Sequence, residues 1–286
     1  MKSLLGHPLG RLGLAVLFVW LTAAITAGLW DPDQTKHAND MNLAHAAKSL
    51  GYERPLADGT HQTHYMGTDR YGRDVLSRLA LGSRVSLSVG FIAVTIALFI
   101  GIPFGAIAGY HGGWTDRVLS SIIQVFLSIP TFLMVIALSF VLGKGYWQVF
   151  IAVGLTAWVE VARLVRGQVL TIMEMEYVQA AKVLGYGPWR ILRRHVLPQV
   201  IPALTVLAAS QFAMAILLES GLSFLGIGAQ PPMPSWGGMI RDHYPYLLTG
   251  QAHLALIPGL SLASVVLAFM AIGNALRDVL DVRTQA

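Results

Sequence analysis

Long apolar runs separated by short polar segments pattern this chain. Six stretches, at about 9–30, 84–109, 118–142, 146–168, 199–228 and 252–276, carry few charges. Each is long enough for a helix to cross the hydrocarbon core of a bilayer, which takes about 20 residues. Backbone amides in lipid must be paired within the segment, so the stretches are predicted as helices, and no barrel-type alternation is visible. The expected fold class is all-α, a polytopic bundle of about six transmembrane helices.

The first run, from Leu12 to Trp30, follows Lys2 and Arg11 and ends near the small residues Ala23, Ala24 and Ala27. A secretory signal has the same ingredients, but its apolar region spans only about 7–15 residues, so an uncleaved helix is expected. The loop at 31–83 is too long for a bare connector. Asp31, Pro32 and Asp33 mark a turn-rich start, and a short helix is expected between Met41 and Leu50. Val75, Leu76 and Leu79 share a helical face over Asp74–Leu81, with Asp74 and Arg78 as an i,i+4 pair. That segment reads as a short amphipathic helix on the outer interface, leading into the span that starts at 84.

Hydrophobic residues make up 55% of the 286 residues and charged residues 12%. A soluble domain carries about 25% charged residues, so too few are present to solvate such a fold. There are no cysteines, which excludes disulfides and thiolate metal sites. The formal net charge is +5, but no basic run is interleaved with stacking aromatics, so no nucleic-acid partner is expected. The basic residues instead report topology. Arg163, Arg166, Lys182, Arg190, Arg193 and Arg194 fall between the fourth and fifth spans, Arg277 and Arg283 in the tail, and Lys2 and Arg11 at the start, while the short outer loops hold Lys144 and Arg241. The positive-inside pattern then puts both termini in the cytoplasm.

Thr171–Pro202 is long for a connector. Met173, Tyr177, Ala180, Ala181 and Leu184 recur on one face of a helix over about 173–186, with Glu174 and Glu176 near its start and Lys182 near its end, as the helix dipole favours. Gly185 is placed to cap it, and Pro188, Pro198 and Pro202 punctuate the chain beyond it. The pattern alone fits either a helix resting on the inner leaflet or a rigid lever presented to another protein.

Gln179-Ala180-Ala181, three residues, Gly185, nine residues, then His195-Val196-Leu197-Pro198 resembles the EAA loop of ABC importer permeases. Ala180, Ala181, Gly185, Leu197 and Pro198 match; Gln179 replaces the family's Glu, and His195 a frequent Ile. Gly67-Thr68-Asp69-Arg70-Tyr71-Gly72-Arg73-Asp74 through Arg78, then Gly82-Ser83-Arg84-Val85-Ser86-Leu87, resembles the signature of the C-type permease subunit of dipeptide, oligopeptide and nickel importers. Glu219 to Gly228, Pro231 to Gly237 and Ala275 to Asp278 are similar to that group as well. The resemblance covers nearly all of 65–283, and 1–64 match nothing specific.

The resemblance implies a type I importer permease fold. Residues 1–30 would form the N-terminus and first span, 31–83 an extracytoplasmic loop, 84–276 the permease domain and 277–286 a cytoplasmic tail, in the bacterial inner membrane. It implies that Tyr177, Gln179, Ala180, Ala181, Lys182, Gly185, Leu197 and Pro198 couple to an ATPase. The partners would be a second permease forming a heterodimer, two ABC ATPase subunits and an extracytoplasmic substrate-binding protein. The chain has no P-loop, so ATP and magnesium belong on the ATPases and no cofactor or catalytic residue is expected here.

Glu219 is the candidate translocation-path residue, because a charge within the membrane is costly and tends to be functional. Glu160, Arg163 and Arg166 read as the cytoplasmic end of the fourth helix, where arginines snorkel to the interface. Gln124, Gln211 and Asn274 are candidates for interhelical hydrogen bonds, and Pro103, Pro130 and Pro258 for helix kinks. His37, His45, His61 and His64 are loop histidines, and no metal site is expected from them. The competing functions are import of nickel or another small solute, a gradient-driven transporter, and a membrane enzyme. The last two leave the 173–186 segment unexplained.

Overall fold

Ten helices and one hairpin are laid out along the described residues. The structure is a computed structural model that describes residues 4–30, 33, 35, 37–56, 60–143 and 145–280. Lys2, Asp31, Pro32, Lys144 and Arg283, used in the charge and turn arguments above, lie outside them. The helices are α1 (Pro8–Trp30), α2 (Val75–His111), α3 (Gly113–Ser128), α4 (Thr131–Leu142), α5 (Tyr146–Met173), α6 (Glu176–Val183), α7 (Pro188–Ile191), α8 (Leu197–Phe224), α9 (Trp236–His243) and α10 (His253–Leu280). A small antiparallel hairpin pairs β1 (Tyr52–Pro55) with β2 (His61–His64), Tyr52 opposite His64. Five helices are long and apolar enough to span a membrane, counting α7–α8 as one, and the bent pair α3–α4 makes up to six.

Four expectations about the elements change. The short amphipathic helix before residue 84 is not a separate element; α2 runs unbroken from Val75, whose side chain is buried with Leu79. Asp74 and Arg78 do not pair. Asp74 caps α2, accepting from the Ser77 amide at 2.7 Å, and its other oxygen lies 2.7 Å from His64 Nδ1. The expected 118–142 span is two helices bent by 91°, because Pro130 supplies no amide and stands as the cap of α4. Pro103 and Pro258, by contrast, sit inside continuous helices. The helix expected within Met41–Leu50 is one 3-10 turn, Leu43–His45.

Glycines set the closest packing. Gly101, Gly105 and Gly109 repeat every four residues along α2 and lie against α5. A Cβ on Gly101 would come 2.6 Å from Val161 Cβ, one on Gly105 2.8 Å from Val165 Cβ, and one on Gly109 2.8 Å from Val169 Cβ. Small residues at this spacing let membrane helices approach backbone to backbone. On the other side of the bundle α1 packs on α10, where the Trp20 indole donates to Ser264 Oγ at 2.9 Å.

Two apolar cores result. One joins α1, the first half of α2, the second half of α8, α9 and α10 around Trp236, which is fully buried and donates from Nε1 to Leu79 O at 3.0 Å. The other joins the second half of α2 and α5 to the first half of α8, and it includes Val178, Ala181, Ile191, Leu192 and Val196 from the segment between the spans. That segment is therefore part of a core and not a loop laid on the surface.

Candidate coupling surface and polar sites

The helix expected over 173–186 is shorter, Glu176–Val183. Met173 ends α5 and Glu174 is its C-cap. The end of α6 is a Schellman turn: Gly185, at φ +77, donates to Lys182 O, and Tyr186 N donates to Ala181 O. Only glycine takes this left-handed conformation without cost. The expected single face divides in two. Val178 and Ala181, 0% and 4% exposed, lock into the core, whereas Tyr177, Ala180 and Leu184 face outward with Val183 beside them. Lys182 is exposed as well.

The neighbours of α6 brace it. Gln179, in place of the family's Glu, donates from Nε2 to Met173 O at 2.6 Å and so closes the last turn of α5. A carboxylate could only accept there and would face a carbonyl oxygen. Tyr186 is stacked on His195 at 6.1 Å between ring centres, and the Arg190 guanidinium lies over the Tyr186 ring at 4.1 Å. His195 lies in a π-helical turn, Leu192–Val196, that leads into Leu197 and Pro198 at the start of α8. An extra residue in a turn of this kind re-aims the chain. No periodic pattern in the sequence signals Tyr186 or the π turn.

The 67–78 signature is a buried polar knot. Asp69 accepts from the amides of Tyr71 and Arg73 and from Arg73 Nε at 2.7 Å, and Arg78 lies 3.8 Å from its second oxygen. Thr68 donates to His45 O at 2.5 Å and accepts from Lys48 N. Gly67 and Gly72, at φ +75 and +76, lie against the backbones of Lys48 and Asn42, where any Cβ would overlap. Thr68, Asp69, Arg73, Asp74 and Arg78 are all at most 5% exposed. These residues hold the described residues of 38–56 and 60–74 onto the start of α2. Asp69→Asn removes the one carboxylate within ion-pair distance of buried Arg73 and Arg78 among the described residues. The expected loss is about 3–5 kcal/mol, measured as a lower melting temperature and faster proteolysis of the 38–74 segment.

The histidines weighed as metal ligands go separate ways. His64 is on Asp74, His45 Nδ1 is 2.6 Å from the Tyr52 hydroxyl, and among the described residues no group of three or more His, Cys, Asp or Glu is arranged to hold a metal ion. His243, in α9, donates from Nδ1 to Met239 O at 2.7 Å, and burial lowers its pKa below the usual histidine value.

Glu219 is fully enclosed. It accepts from Ser223 Oγ at 2.6 Å, and Ser223 Oγ accepts in turn from Ala229 N. The carboxyl thus ties the 225–236 segment to α8 and faces no open surface, which is not the geometry expected of a path-lining group. Glu160 differs from its expectation in the opposite sense. It is not at a helix end: it sits midway along α5, is exposed, and accepts from Gln211 Nε2, midway along α8, at 2.6 Å. Arg166, one turn past Arg163, pairs with Asp116 of α3 at 2.5 and 2.7 Å. Gln124 and Asn274 are exposed.

A membrane-spanning helical bundle with a core-packed helix inserted between the α5 and α8 spans is the class of protein these features define. Residues 101–286 match the family described as binding-protein-dependent transport system inner membrane component. The chain belongs to that family, and it is a multi-pass membrane component of a transporter and not a catalytic enzyme. It is 37% identical over 280 residues to the dipeptide transport system permease protein DppC of Alkalihalophilus pseudofirmus, covering 98% of this chain and 88% of that one. It is 38% identical over 236 residues to the glutathione transport system permease protein GsiD of Pectobacterium atrosepticum, covering 82% and 78%. It is 36% identical over 267 residues to the oligopeptide transport system permease protein OppC of Haemophilus influenzae, covering 93% and 82%. The fold is similar to that of the inward-facing MetNI methionine ABC transporter, with a TM-score of 0.57 at 20% identity over 70% of this chain and 95% of that one.

Proposed function

We propose that this chain is one of two different permease subunits of an ATP-driven importer for di- and oligopeptides in a bacterial inner membrane. The observation that carries the reading is α6: its inner face is fixed in the core by Val178 and Ala181, while Tyr177, Ala180 and Leu184 stand outward, exposed. A helix held this way transmits force from whatever docks on it to the feet of α5 and α8. The similarity to dipeptide, oligopeptide and glutathione permeases supports peptides as the substrate class.

Both termini and α6 face the cytoplasm, where two ATPase subunits dock on α6 of this chain and on its equivalent in the second permease. The β1–β2 hairpin, the 60–74 segment and α9 face outward, toward a substrate-binding protein. ATP and magnesium are held by the ATPases. Their closure favours one of two permease arrangements through differential contacts at α6, and hydrolysis releases it. The test is purification of the tagged chain in mild detergent. A second permease and ATP-hydrolysing subunits are expected to co-purify, and deletion of the chain is expected to abolish uptake of labelled peptide. A chain that purifies alone from membranes where peptide uptake survives its deletion would sink the reading.

A further inference from the structure

Glu160 is an ionisable group midway along a helix long and apolar enough to span the membrane, and none of the roles above uses it. It lies midway along α5 and is exposed, so it cannot be sheltered by this chain's own interior. One carboxylate oxygen accepts from Gln211 Nε2 at 2.6 Å; the side chain makes no other hydrogen bond and no ion pair among the described residues. Gln211 is 7% exposed and holds the carboxylate from behind. Glu160 and Gln211 open into a cavity of 250 Å³ at the elbow between α3 and α4, with Thr131 at its polar edge and Phe126, Phe132, Met214 and Leu218 as its walls. A charge facing lipid at this depth is costly, so such groups face wet cavities and mark substrate pathways.

We propose that Glu160, oriented by Gln211, binds the free α-ammonium of a peptide as it crosses the membrane. This rests on the peptide-import reading above. The chemistry is suited to that group. Glu160 supplies a carboxylate with one open oxygen, and Gln211 donates one of its two amide hydrogens to the other oxygen. The walls are apolar and include Met214, a flexible side chain that adapts to different neighbours. A site of this kind recognises what every unblocked peptide has in common and tolerates the side chains that vary. Two oxygen donors from a carboxylate and an amide are too few to hold a transition-metal ion, whose sites use three or four ligands with nitrogen or sulfur favoured. Glu219, the other acidic residue deep in a span, has no open surface and is already engaged by Ser223.

The experiment uses the intact importer in its own membranes, with labelled trialanine and its desamino analogue, in which hydrogen replaces the terminal amine. Three versions of the chain are compared: unaltered, Glu160→Gln and Glu160→Asp. Carbodiimide, which joins a carboxylate to an amine in contact with it, is applied during turnover, and adducts are mapped by mass spectrometry. A trialanine adduct at Glu160 is expected in the unaltered chain. Glu160→Gln is expected to slow trialanine uptake by about tenfold or more, the scale of one charge-assisted hydrogen bond. Glu160→Asp is expected to keep uptake within about threefold. The desamino analogue is expected to be taken up slowly by all three. The inference is overturned if Glu160→Gln imports trialanine at the unaltered rate. It is also overturned if that variant no longer co-purifies with the second permease, since Glu160 would then be an interface charge. If the unaltered chain imports no trialanine, the peptide reading itself fails and this inference falls with it.

Discussion

Ala180→Glu is expected to strip the ATPases from the complex while the chain still inserts and folds. Ala180 is exposed at the centre of the outward face of α6, between Tyr177 and Leu184, and its methyl group allows a partner to approach the helix backbone. A glutamate there adds bulk and a charge that docking would have to desolvate, with Glu176 one turn away on the same helix and no basic group of α6 nearer than Lys182. A central interface position of this kind is worth about 2 kcal/mol or more, so peptide uptake should fall by at least about thirtyfold. The adjacent residue gives the contrast. Ala181 is 4% exposed among Val178, Ile172 and the π turn, so Ala181→Glu places a charge inside the core and is expected to lower the yield of folded protein itself. Comparing ATPase co-purification with the elution profile of the detergent-solubilised chain separates the two effects. Equal ATPase retention by unaltered and Ala180→Glu chains would remove α6 as the docking element.

Gly105→Leu is expected to prevent the bundle from packing. A Cβ at residue 105 would run into Ala162 O, 2.8 Å from Val165 Cβ and 2.9 Å from Arg166 N. Two of these three contacts are with backbone atoms, which cannot move aside as a side-chain tip can. The α2–α5 contact would open along its length, and Gly101 and Gly109, one turn to either side, would lose theirs. Overpacking a core ordinarily costs about 1–3 kcal/mol; with the obstruction in the backbone the upper end or more is expected. It should appear as aggregation on size exclusion and a lower melting temperature. Gly167→Leu is the control. Gly167 is exposed on α5 with nothing within 4 Å of an added Cβ, so the change should be tolerated and helix propensity should favour it by about 0.5–1 kcal/mol.

The nature of each long apolar run was legible because lipid permits so few alternatives: a stretch without charges, too long for a soluble core strand, is helical and spans. The family was legible as well, since Ala180, Ala181, Gly185, Leu197 and Pro198 keep their spacing and the 67–78 signature keeps its residues. The boundaries were less so. Asp74 looks like a member of a surface helix with Arg78, and it caps α2, whose first turns bury Val75 and Leu79 against segments distant in sequence, with Trp236 of α9 donating to Leu79 O and Val75 N donating to Gly67 O, which no local pattern encodes. The repeat Gly101, Gly105, Gly109 was present in the sequence as a four-residue spacing of small residues, and it reports close helix contact once it is looked for.

Sequence alone determined that this is a membrane-spanning helical chain with an amphipathic helix between two of its spans, because hydrophobic length and helical period are local properties. Only the tertiary structure decided which face of α6 is free, because Ala180 and Ala181 are chemically identical and differ only in what α5 and α8 bring against them. The same holds for the two deep carboxylates. Glu160 and Glu219 both interrupt apolar runs, and burial assigned Glu219 to holding the 225–236 segment and left Glu160 open at the cavity. Which side of a helix meets protein, cavity or lipid depends on where distant helices pack, and that is set by the whole fold.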